Sequence, residues 1–154
     1  MATPEDLRRH YLNEQVLLAE KASKALQFSY ARAESIPLAT DRAVTPEQAE
    51  RLEALAARFA RLSDILVQKV FRAIDATELV DEGTVLDRLA RMEKRQIIKS
   101  KETWRSIREL RNQIAHDYVL KDLHNLYRQV YQHTPVLIET LSRIRQRYEN
   151  ERRS

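Results

Sequence analysis

Between residues 104 and 119 the chain reads Trp-Arg-Ser-Ile-Arg-Glu-Leu-Arg-Asn-Gln-Ile-Ala-His-Asp-Tyr-Val. Arg111, His116 and Tyr118 stand together there, near the end of a predicted helix. A guanidinium can hold two oxygens of a phosphate or carboxylate at once, and histidine is the side chain whose charge changes near neutral pH. The pair is therefore suited to anion binding with proton transfer. At about 100° per residue, Asn112 and His116 share one helix face, as do Arg111 and Tyr118. Arg111 and His116 are about 140° apart, so the long arginine, or a last turn that unwinds before Asp117, must bring them to one pocket. Ile107, Leu110 and Ile114 mark the core side, which puts His116 at the edge of the buried face.

Other chemistries fit poorly. Gly83 is the sole glycine, so no glycine-rich phosphate loop and no nucleophile elbow can form. Without cysteine there is no disulfide, thiol nucleophile or Cys-ligated zinc. His10, His116, His124 and His133 contain no i,i+4 pair, so no metal site and no cofactor are expected. No window approaches 18 uninterrupted apolar residues, and the first 20 positions carry charges where a signal peptide needs an apolar stretch. The expectation is a soluble, cytoplasmic protein with no membrane partner.

Charge points to a polyanion. Lys plus Arg is 27 against 23 Asp plus Glu, and arginine outnumbers lysine 20 to 7. Residues 1–99 balance at 16 and 16, so the net +4 lies in residues 100–154, with 11 basic and 7 acidic side chains. From Arg88 to Arg111 nine basic residues, Arg105 and Arg108 among them, face only Glu93, Glu102 and Glu109. Such a run attracts RNA, with Arg105 and Arg108 as candidate contacts, or is a solvated helix face.

The elements that must position these residues are helices. Thr3-Pro4-Glu5-Asp6 and Thr45-Pro46-Glu47-Gln48 each offer a capping hydroxyl, a proline at the first helical position and acid in the first turn. Gly83-Thr84 with Asp87 reads as a stop and a new cap, and Ser100 and Asp122 open two further helices. Apolar residues recur every three or four positions at Leu7, Tyr11, Leu18, Ala22 and Ala25. They do so again at Leu52, Leu55, Phe59, Leu62, Leu66, Val70 and Ala73, and once more from Leu123 to Tyr148. Pro135 interrupts the last stripe and predicts a kink. Residues 34–44 form the main loop and 149–154 a frayed basic tail. The length suits one domain, residues 1–154, an all-α up-and-down bundle of four to five helices with three long members.

Arg111-x4-His116-x-Tyr118, with polar Asn112 directly after the arginine, resembles the signature of the HEPN superfamily, and is most similar to the HepT-like toxins of HEPN/MNT toxin–antitoxin systems. The flanking Trp104, Ile107 and Leu110, and the mid-helix Pro135, extend the likeness over residues 104–145. The resemblance implies a metal-independent endoribonuclease toxin of a type VII-like system that acts as a homodimer. Arg111 and His116 of both subunits would then meet in a cleft on the two-fold axis, with Asn112 orienting the imidazole or the phosphate. It further implies tRNA or mRNA as the target, and neutralisation by an MNT-type nucleotidyltransferase antitoxin that adenylylates Tyr118.

Each of these residues has a plainer reading. His116 can cap a helix end, Arg111 can pair with Glu109 or Asp117, Tyr118 can be a core aromatic, and Trp104 is better suited to packing than to base stacking. The rival function is a non-catalytic helical binding module that docks a nucleotide or a nucleotidyltransferase partner.

Overall fold

The computed structural model describes residues 1–40, 42–116 and 122–153, and among these all regular structure is helical. The order is α1 (Pro4–Ala33), α2 (Pro46–Ile65), a π turn (Leu66–Val70), α3 (Phe71–Thr77), α4 (Val85–Lys94), α5 (Lys101–Ala115) and α6 (Leu123–Arg153). The π turn joins α2 to α3 without a break, so the described residues form five rods, as the sequence predicts. None of these helices is long and apolar enough to cross a membrane.

The helix starts follow from local chemistry. The hydroxyls of Thr3, Thr45 and Thr84 accept from the backbone N–H groups of Asp6, Gln48 and Asp87 at 3.1, 3.1 and 3.2 Å. In all three the later side chain returns a bond to the cap N–H, completing a capping box. Ser100 and Asp122 cap α5 and α6 in the same sense. Each such cap contributes about 1 kcal/mol. Gly83, at φ +93°, makes the turn into α4, where a Cβ would meet the Asp87 carboxylate at 2.8 Å.

The stripe from Leu52 to Ala73 is buried throughout, and Phe59, Leu62, Leu66 and Val70 have no exposed surface. Burying each of these large side chains contributes about 1.5–3 kcal/mol. The α1 stripe differs from the expectation: Leu7 and Tyr11 are exposed, and the inward face is Leu12, Ala19, Ala22, Ser23, Leu26, Ser29 and Ala33. Small side chains let α2, the main neighbour of α1, approach closely, and the buried hydroxyls are satisfied by Gln27 on Ser23 and Arg58 on Ser29. Trp104 is a packing anchor, buried edge-on against Phe71 with ring centroids 5.0 Å apart. The α6 helix carries its buried face across Pro135 through Thr134 and Leu137. Its backbone is helical through Arg153, across most of the stretch expected to fray.

Part of the basic run turns inward. Asp75, 2% exposed, accepts two bonds from Arg91 (3.0 and 2.8 Å) and one from Arg95 (2.6 Å), tying α3 to α4. Burial raises the Asp75 pKa, but the bonds from Arg91 and Arg95 outweigh it and hold the carboxyl below its ordinary range.

Candidate functional site

The α5 helix lies antiparallel to the α2–α3 rod. Two contacts fix the register, Phe71 with Trp104 and Asp64 with Arg111. Arg111 donates from Nε to one Asp64 oxygen at 2.7 Å and from Nη2 to the other at 3.0 Å. This is a side-on bidentate pair that raises the guanidinium pKa through the Asp64 hydrogen bonds and charge. Among the described residues Nη1 has no partner, and the arginine side chain keeps 36% of its surface exposed. Asp64 therefore orients the fork and, among the described residues, leaves its outer edge without a partner.

His116 is the C-cap of α5, at φ −120° and ψ 33°, with its backbone N–H on the Gln113 carbonyl at 3.1 Å. The chain has left helical geometry there, so the relation expected from uniform helical rotation ends at Ala115. His116 is exposed, outward of the boundary position that the helical wheel assigns to it. Asn112 is exposed one turn earlier, Arg105 pairs with Glu102 at 3.3 Å, and Arg108 is half-buried. Tyr118, like Asp117, lies outside the described residues.

The expected ion-pair partners of Arg111 were Glu109 and Asp117; the structure supplies Asp64, 47 residues away in sequence. Asp64 carries no local signal in the sequence: it stands on the open side of the α2 stripe, 42% exposed, and only packing brings Arg111 to it.

The family model described as Ribonuclease HepT-like matches residues 41–144. The chain belongs to this family. The HepT-like segment starts in the loop before α2 and runs through most of α6, so it holds Asp64, Arg111, His116 and Tyr118, while α1 lies outside it. A search of curated proteins gives no match to the chain, and a search of solved structures gives none.

Within this HepT-like domain, Asp64→Asn is expected to keep the fold, because both partners are over one-third exposed and such pairs contribute about 0–1 kcal/mol. If Asp64 holds the Arg111 fork for substrate, RNA cleavage should fall about tenfold, mainly in kcat, since a misplaced group costs transition-state contact. Unchanged kcat in the variant would assign the pair to packing alone.

Proposed function

We propose that the protein is a metal-independent endoribonuclease, the toxin of a type VII-like HEPN/MNT toxin–antitoxin pair, acting as a homodimer. The observation that carries this reading is the Arg111 fork. It is held side-on by Asp64 with its outer edge unpartnered among the described residues, near the end of the helix that His116 caps, inside the segment matched by the ribonuclease family.

Cutting RNA without a metal takes three things. A base removes the 2′-hydroxyl proton as that oxygen attacks phosphorus, a cation stabilises the charge on the phosphorane, and an acid protonates the departing 5′-oxygen. Arg111 is suited to the second role. His116 is suited to the proton transfers, but one imidazole cannot be base and acid in the same step. Two subunits related by a two-fold axis supply two. Asn112 would orient the imidazole or the phosphate, and Arg105 and Arg108 would contact the RNA backbone of a tRNA or mRNA. Adenylylation of Tyr118 by the nucleotidyltransferase antitoxin would add bulk and negative charge two residues from His116 and repel the substrate.

Purified protein incubated with RNA in excess EDTA tests the catalytic part. Cleavage that survives the chelator is expected, and cleavage abolished by it and restored by a divalent ion would overturn the reading. Co-expression with an MNT-type nucleotidyltransferase, followed by mass spectrometry of the Tyr118 peptide, tests neutralisation. An AMP adduct is expected, and an unmodified peptide from a neutralised toxin would contradict it.

A further inference from the structure

We propose that Arg72 and Arg108, with Arg88 behind them, form a subsite for the phosphates of single-stranded RNA along the seam between the α2–α3 rod and α5. The inference rests on the reading of the protein as an RNA-cutting enzyme and adds a binding track beside Arg111.

The π turn builds the seam. Asp64 and Arg72 are eight residues apart, which in an unbroken α-helix puts them about 80° out of line. An i→i−5 turn accommodates one extra residue, so the step becomes equivalent to about seven and the offset falls to about 20°. Arg72 thereby joins the face that presents Asp64, and its side chain is exposed. On the other wall Arg108 stands one turn from Arg111, towards Trp104, and Trp104 meets Phe71 next to Arg72. The π turn also leaves the Val67 carbonyl to a side-chain donor, Arg88, whose Nη1 reaches it at 3.2 Å and so holds the Arg88 guanidinium against the seam.

These cations are not neutralised as their neighbours are. Arg91 and Arg95 have Asp75, Lys99 has Glu139, Arg105 has Glu102 and Arg111 has Asp64. Arg72 and Arg108 have no ion pair among the described residues. Arg88 has only a 3.8 Å approach to Asp75, which two other arginines already occupy, and its buried Nε has no hydrogen-bond partner. Burial pushes the Arg88 pKa down, with Asp75 opposing, and Arg72, Arg91 and Arg108 push it further the same way. Like charges kept this close against a low-dielectric wall concentrate anions, and guanidinium forks match phosphate oxygens. The acids Asp75, Asp81 and Glu82 line one pocket with Arg72 and Arg88, and Arg108 and Arg111 are not part of it, so the track runs from Arg72 towards Arg108 and Arg111 and away from the loop before α4.

The test is the affinity of a fluorescent, 2′-O-methylated RNA oligonucleotide, which binds and cannot be cut, measured by anisotropy across a salt series. Arg72→Ala/Arg108→Ala is compared with Lys21→Ala/Lys24→Ala, which removes the same charge from the exposed face of α1. Arg88 is left intact because it serves the π turn, and circular dichroism checks that each variant keeps its helices. Loss of two phosphate contacts should weaken binding about tenfold or more and reduce the salt slope by about 1.4, at about 0.7 per single-strand phosphate. Weakening no greater than in the lysine control, or a parent that binds no RNA, would overturn the subsite. A parent that binds through Arg72 and Arg108 but leaves unmodified RNA uncut would support the subsite and refute the nuclease reading instead.

Discussion

Replacing His116 with alanine is expected to lower RNA cleavage about 10²–10⁴-fold, the usual contribution of a positioned acid or base. The fold should hardly notice. His116 is exposed, its backbone N–H bond to the Gln113 carbonyl does not depend on the side chain, and a polar contact made by a side chain this exposed contributes about 0–1 kcal/mol. Melting temperature, helicity and subunit assembly should therefore match the parent. This separation of effects distinguishes the two functions. A histidine that only caps α5 would cost a little stability and no cleavage, and a non-catalytic binding module would show no cleavage by the parent protein either. Rates measured on one RNA under single-turnover conditions, with melting curves on the same samples, decide between them.

The largest stability effect is expected at Asp75. Removing its carboxylate leaves Arg91 and Arg95, at 24% and 16% exposure, without the partner that compensates their burial. Breaking such a pair from one side costs about 3–5 kcal/mol. For a chain of this length each kcal/mol moves the melting temperature by about 2–4 °C, so Asp75→Ala should melt about 6–20 °C lower. Asp75→Asn keeps the shape but loses the charge, and should lose most of the same stability. The pH dependence follows in sign. The folded pKa is depressed, so the contribution is present above the ordinary carboxylate range and is lost as pH falls through the folded value. Parent and Asp75→Asn melting curves should therefore be well separated at neutral pH and converge below about pH 4. Equal melting temperatures at neutral pH would contradict the role given to Asp75.

These two residues also mark where the sequence was legible. Helix starts were readable because a cap is complete within four residues: Thr45 and Gln48, or Thr84 and Asp87, contain all the chemistry of their own boundary. The Leu52–Ala73 stripe was readable because large apolar side chains repeat at helical spacing. The inward face of α1 was not, because it is made of alanines and serines whose value lies in how close α2 can come, a property of the partner helix. Arg111 and His116 stood out by type and spacing within one segment. Asp64 and Asp75 did not, because their meaning depends on arginines brought to them by packing over 47 and 16–20 residues. The π turn has no local signature, yet it decides which face Arg72 occupies.

The central claim is that one phosphodiester is handled by two imidazoles, one from each subunit. Co-expressing parent and His116→Ala chains in known proportions, so that they assemble together, tests it directly. If each cut needs both histidines, mixed dimers are silent and activity follows the square of the parent fraction, about a quarter at equal amounts. Activity that follows the parent fraction linearly, about half at equal amounts, would mean that each subunit cuts RNA alone, and would contradict the shared cleft.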